Sequence, residues 1–63
     1  MHYIIVQLFK SNKPAAYTSI VVDSHEQAKE RAKSILDGSV DIQTVEIFEL
    51  VASASKVEVV QWN

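Results

Sequence analysis

The sequence predicts an α+β fold in which a four-stranded, mainly antiparallel sheet carries one helix, in the order ββαββ. One stretch, residues 23–38, has apolar residues at helical spacing together with start and stop signals for a helix. The sequence on both sides of it is rich in β-branched and aromatic residues, which favour strands. With 63 residues, we expect a single domain, 1–63.

The helix is expected at about residues 24–37, within the segment DSHEQAKERAKSILDG. Asp23 and Ser24 are both suitable N-caps, each with a capping-box partner three residues later, so two starts remain open. Gly38 can take the left-handed conformation that often ends helices. Apolar residues lie on one narrow side, which predicts a helix lying across a sheet. They are Ala28, Ala32, Ile35 and Leu36.

The remaining sequence predicts two hairpins, the first of which turns at the polar segment around Pro14. The first strand is apolar on both sides, which is typical of a strand inside a sheet. A strand order of 2-1-3-4 makes every neighbouring pair antiparallel. The third strand has two mixed faces, which fits a β-bulge. The four strands are expected at residues 2–10, 16–22, 43–52 and 56–62.

One helix covers only one face of a four-stranded sheet, so the other face is expected to remain open. We predict that the helix covers the side of the first strand formed by Ile4, Val6 and Leu8. The opposite, apolar side would then be exposed, as in many interaction surfaces. The alternative is a strand that is simply apolar and modestly exposed. The predicted interface residues are Tyr3, Ile5, Phe9, Tyr17 and Trp62.

A chain this short buries only about 60% of its unfolded surface and needs additional stabilisation. Disulfides are excluded because the sequence has no Cys. His2 and His25, without Cys beside them, do not suggest a structural zinc site. We therefore predict a homodimer that forms through the open face. Trp62 fits two roles equally well, as an anchor for a partner or as a residue that closes the core.

Charge and hydropathy restrict the binding partners and the cellular location that the sequence predicts. The net charge of −2 argues against general phosphate binding, although it permits a local basic patch. No apolar run is long enough for a transmembrane helix, and the first residues do not resemble a signal peptide. The sequence therefore predicts a cytoplasmic protein without a membrane partner.

Candidate catalytic groups are few, so we predict that the protein is not an enzyme and uses no cofactor or metal. No Ser, His and acidic residue fall into a known catalytic spacing. His25 in the first helical turn is more typical of a solvated or loosely packed residue than of a base, and this holds more strongly for His2 near the first residue. The isolated Gly38 provides no glycine-rich loop for phosphate. An enzyme with a site between subunits is the least favoured class.

The leading hypothesis is a small accessory protein, of a kind common in phages and bacteria, that binds another protein through its open sheet face as a homodimer. The alternative is a nucleic-acid-binding module in which sheet aromatics stack on bases. Its stacking residues would be Tyr3, Phe9 and Tyr17, and its basic residues would be Lys10, Lys13 and Arg31. Steep weakening of binding with salt would distinguish this alternative.

Overall fold

A computed structural model describes residues 1–51 and 53–61, and it has the predicted α+β fold. The strands lie in the predicted order β2-β1-β3-β4, and every neighbouring pair is antiparallel. The strand bounds differ from the predicted ones by one or two residues, and Trp62 lies outside the described residues. The elements are β1 (His2–Phe9), β2 (Ala16–Val21), α1 (His25–Asp37), β3 (Ile42–Leu50) and β4 (Ala54–Gln61).

The helix α1 covers the side of β1 opposite to the one predicted. Tyr3 and Ile5 are fully buried in one core with the two alanines of α1, so the predicted placement of α1 over Ile4, Val6 and Leu8 is wrong. Within the described residues, no helix is long and apolar enough to cross a membrane. The core consists of Tyr3, Ile5, Ile20, Ala28, Ala32, Leu36, Ile42, Val45, Ile47 and Val60.

Cross-strand neighbours explain which side of β1 is buried. Tyr3 lies opposite Ile20, and Ile5 lies opposite Ile47, so these side chains form an apolar layer. The neighbours on the other side of β1 are mixed: Ser19 and Phe48 lie opposite Ile4, and Tyr17 and Glu46 lie opposite Val6. Because β1 alone is apolar on both sides, its own sequence does not distinguish them, and the register with β2 and β3 decides.

The start of α1 uses one of the two predicted caps. Ser24 Oγ accepts a hydrogen bond from the N–H of Gln27 at 3.3 Å. The side chain of Gln27 reaches back and accepts from the N–H of Asp23 at 2.8 Å. This reciprocal arrangement resembles a capping box, in which the side chain at the position of Gln27 accepts from the N–H of the N-cap Ser24. Here it accepts from the N–H of Asp23, one residue earlier. Ala28 and Ala32 follow on the buried side, where their small size lets the helix backbone approach the sheet.

The helix ends at Gly38, but not in the predicted left-handed conformation. Its φ of −81° and ψ of −9° lie in the right-handed region. The N–H of Gly38 donates to the carbonyls of Ser34 at 3.1 Å and Ile35 at 3.2 Å, and Ser39 N–H donates to Leu36 O at 3.4 Å. The final turn therefore tightens with bonds to the third preceding residue and needs no left-handed residue.

Asp41 joins the loop after α1 to the turn between β1 and β2. Its Oδ2 accepts from Ser11 Oγ at 3.1 Å and lies 3.0 Å from Lys13 Nζ, while its backbone oxygen accepts from Lys10 N–H at 2.8 Å. The hydrogen bond from Lys13 is the main cause that lowers the pKa of the Asp41 carboxyl. The Lys13 ammonium also lies 5.4 Å from the centre of the Phe9 ring, within cation–π range.

Two bulges interrupt the regular pairing. Gln43 is an extra residue of β3 relative to β1, which agrees with the irregularity predicted for this strand. Val57 is an extra residue of β4 relative to β3, between Lys56 and Glu58. Because of this second bulge, Lys56 lies on the open face of the sheet and Glu58 lies on the side of α1.

We expect Gly38→Ala to leave the free energy of unfolding unchanged or to raise it by about 0.4–1 kcal/mol. A Cβ atom would lie 3.4 Å from Ser34 O and 3.5 Å from Ile35 O, which are ordinary contacts, and alanine restricts the unfolded chain. Urea unfolding followed by circular dichroism measures the change, with Ser34→Ala as a control in the same turn. A loss of about 1 kcal/mol or more would indicate a left-handed residue at this position.

We expect Asp41→Asn to lower stability at pH 7, with a difference from the wild type that disappears as the pH falls. A carboxyl whose folded pKa is lowered stabilises the fold above its unfolded pKa of about 3.9, and this contribution is lost as the pH falls through the folded pKa. Urea midpoints of both proteins from neutral to strongly acidic pH test this. Asp37→Asn, at the exposed end of α1, is the control. A difference that stays constant with pH would contradict the expectation.

Candidate binding face of the sheet

The face of the sheet that α1 leaves open carries an apolar band across all four strands. At its centre, Val6 pairs with Tyr17 on one side and with Glu46 on the other, and it is only 5% exposed. The exposed apolar side chains lie towards the edges, where Tyr17 is 72%, Val21 68% and Val59 42% exposed. The partly buried members of the band are Ile4, Leu8, Phe48 and Leu50.

Polar groups on this face lie mainly on the half formed by β3 and β4. Lys56 Nζ donates to Glu46 Oε2 at 3.2 Å, so the two charges partly compensate each other. An exposed ion pair of this kind contributes little to stability. The half formed by β1 and β2 carries no Asp, Glu, Lys or Arg on the strands themselves. The open face is therefore apolar mainly on β1 and β2, and it carries a compensated ion pair on β3 and β4.

Of the five predicted interface residues, Tyr17 is on the open face. Tyr3 and Ile5 are buried on the side of α1, and Phe9 is partly buried against the same core. Trp62 lies outside the described residues. The prediction that Tyr3, Ile5 and Phe9 lie on the open face is thus wrong, and the residues of β1 on this face are His2, Ile4, Val6 and Leu8.

The surface required for base stacking by the three predicted aromatics is not formed. Tyr17 lies on the open face, whereas Tyr3 and Phe9 lie on the side of α1, where Tyr3 is fully buried. Lys13 forms an ion pair within the first turn, and Arg31 is exposed on α1, on the other side of the sheet from Tyr17. No observation on the described residues therefore favours the nucleic-acid alternative over protein binding.

A second group of polar side chains lies where the start of α1 meets β4. His25 Nε2 and Glu58 Oε2 are 3.2 Å apart, within hydrogen-bond distance, and both side chains are partly buried. The ring of Tyr3 meets that of His25 edge-on, with 6.3 Å between ring centres. The sequence predicted a solvated or loosely packed His25 and did not indicate Glu58 as its partner, because the two residues are 33 positions apart and no local pattern links them.

The chemical capacity of this group depends on its neighbours. The adjacent hydroxyl, Ser24, already accepts the hydrogen bond that caps α1. Among residues 1–51 and 53–61, no three His, Cys, Asp or Glu side chains are arranged to hold a metal ion. The contact between His25 and Glu58 links the first turn of α1 to the outer strand β4.

The hydroxyl of Tyr3 is buried, and no described residue forms a hydrogen bond with it. Burial raises the pKa of this hydroxyl, and the negative charge of Glu49, which pairs with Tyr3 across the sheet, raises it further. A buried hydroxyl without a partner costs free energy relative to an apolar group of the same shape. Tyr3 therefore stabilises the core through its ring.

Comparison of the chain with known protein families, with curated proteins and with solved structures finds no match.

We expect Tyr3→Phe to leave the melting temperature at pH 7 unchanged or to raise it by a few degrees, because it removes only the unpartnered hydroxyl. Above pH of about 10 the wild type should lose stability relative to the variant. The pKa of Tyr3 is higher in the folded than in the unfolded protein, so its protonated hydroxyl favours the folded state. This contribution is complete below the unfolded pKa and is lost as the pH rises through the folded pKa.

Thermal unfolding of both proteins between neutral and alkaline pH measures this difference. Tyr17→Phe, at an exposed tyrosine of the open face, is the matched control and should show no comparable divergence. A clear loss of stability in Tyr3→Phe at pH 7 would show that the hydroxyl has a partner.

Proposed function

We propose that this protein acts by binding another protein through the open face of its sheet, as a homodimer and without catalysis of its own. The observation that supports the proposal is the set of apolar side chains on this face, which Glu46 interrupts between Val6 and Val59 and which includes the exposed Tyr17, Val21 and Val59. Contiguous exposed apolar surface rimmed by polar groups is typical of protein–protein contacts, in which tyrosine is enriched.

The chemistry of the face defines the kind of partner that it fits. The strands β1 and β2 carry no Asp, Glu, Lys or Arg, whereas the ion pair between Glu46 and Lys56 lies on β3 and β4. A complementary partner therefore presents an apolar surface to β1 and β2 and polar groups to β3 and β4. The homodimer belongs to the proposal because a chain of 63 residues without Cys has few other means of adding to its stability.

A photo-crosslinking amino acid at position 59 tests this proposal in the cells that make the protein. Val59 is exposed on the open face, whereas Ser34 is exposed on α1 and provides the matched control position. We expect position 59 to yield a defined product with one protein, identified by mass, and position 34 to yield none. No product at position 59, or the same product at both positions, would contradict the proposal.

The purified pair then gives the affinity. We expect Val59→Lys to weaken binding by roughly tenfold or more, since a charge would be buried at the contact. Ser34→Lys should have little effect. Because Val59 is exposed and lies opposite Glu46, the lysine should be tolerated in the free protein, which thermal unfolding checks. Equal affinities of the two variants would place the contact elsewhere.

A further inference from the structure

We propose that the outer edge of β2 is the place where a second copy of this chain joins, so that two sheets continue through paired β2 strands about a two-fold axis at Ser19. The inference concerns an edge of the sheet and specifies the homodimer. It does not depend on the binding of another protein to the open face.

The two outer strands of the sheet, β2 and β4, differ in how their free edges are protected. β4 carries the bulge at Val57, flanked by the charged Lys56 and Glu58. Bulges and charges are devices that prevent further strands from pairing with an edge. β2 has six residues, AYTSIV, with no charge and no Pro, and its register with β1 is unbroken. The edge of β2 is therefore the one suited to accept another strand.

Hydrogen bonds at the end of β2 show which backbone groups point outward. Val22 N–H donates to Met1 O at 3.0 Å, and Met1 N donates to Val22 O at 3.0 Å. In an antiparallel ladder, pairs that exchange two bonds alternate with pairs that exchange none. Counting back from Val22 along the regular register gives the residues whose N–H and C=O point away from β1. They are Tyr17, Ser19 and Val21.

A two-fold axis at Ser19 brings all these outward groups into bonded positions. Ser19 then faces Ser19 of the partner subunit, and Tyr17 faces Val21 of the partner subunit, so that each pair exchanges two backbone hydrogen bonds. Tyr17 and Val21 lie on the same face and are the two most exposed apolar side chains of β2. In this register each covers the other across the join. An axis at Thr18 would instead leave Val21 opposite Ala15, outside β2.

The position of α1 leaves room for this pairing. The helix packs mainly over β3 and β4, on the half of the sheet away from β2. Thr18, on the side of α1, is exposed. With the axis perpendicular to the sheet, both helices lie on one side and both open faces lie on the other. Dimerisation at β2 thus doubles the width of the four-stranded sheet and makes the two apolar bands continuous.

Solution mass by light scattering over a range of concentrations tests the proposal on wild type, Ser19→Pro and Ser19→Ala. Proline removes an N–H that points away from β1 and is tolerated on edge strands in that position. Alanine removes the side chain but keeps the N–H. We expect wild type and Ser19→Ala to be dimers and Ser19→Pro to be a folded monomer by circular dichroism. A monomeric wild type, or a folded Ser19→Pro that remains dimeric, would overturn the proposal.

A disulfide test does not depend on the folding of the proline variant. The sequence contains no Cys, so Ser19→Cys introduces a single thiol at the proposed axis. Paired residues in bonded positions have Cα atoms about 5.5 Å apart, a separation that a disulfide spans. Under mild oxidation we expect a covalent dimer from Ser19→Cys and little from Thr18→Cys. Equal yields, or a dimer from Thr18→Cys alone, would overturn the register at Ser19.

Val59→Lys separates this inference from the proposed function. If the copies join at β2, this variant keeps the mass of a dimer, whatever it does to the binding of another protein. If Val59→Lys dissociates the dimer while Ser19→Pro does not, the copies meet through their open faces. That result would overturn the join at β2 and leave the open face as a contact surface.

Discussion

The contact of α1 with one side of the sheet is the interaction on which the remaining structure depends. Ala28 and Ala32 are small and fully buried, so the helix backbone comes close to the aliphatic layer that β1 and β3 present with Ile5 and Ile47. With one helix on this side of a four-stranded sheet, the same contact defines the opposite face as open. The apolar band and the free edge of β2 both lie where the helix does not cover the sheet.

The order of elements was predictable from local signals, and the order of strands was predictable because β1 is apolar on both sides, which is typical of an inner strand. Ser24 and the alanine spacing define a helix, and the short polar turn around Pro14 defines a hairpin. The face that the helix covers was not predictable from β1, since Ile4 and Ile5 are equally apolar. Only the register across strands distinguishes them, and the register depends on the neighbouring strands as well as on β1.

The candidate site divides in the same way. Tyr17 was predicted as an aromatic residue of a sheet surface, and it is exposed on the open face. The predicted interface residues Tyr3 and Ile5 lie in the core instead. The residues expected under the helix, Ile4, Val6 and Leu8, lie on the open face. The contact between His25 and Glu58 had no sequence signal, since two polar residues far apart in the chain meet only after α1 is docked. Likewise, the conformation of Gly38 follows from the tightened last turn of α1.

The central pairing of β1 with β3 has a consequence for the rate at which the chain folds. Each hairpin pairs neighbouring segments, but His2 meets Leu50 only after β2 and α1 have been enclosed in one large loop. Contacts between distant segments slow folding, because the entropy of closing the loop is lost before the contacts form. Until β1 and β3 meet, α1 has no complete surface to pack on, so helix docking and sheet closure should occur in one cooperative step.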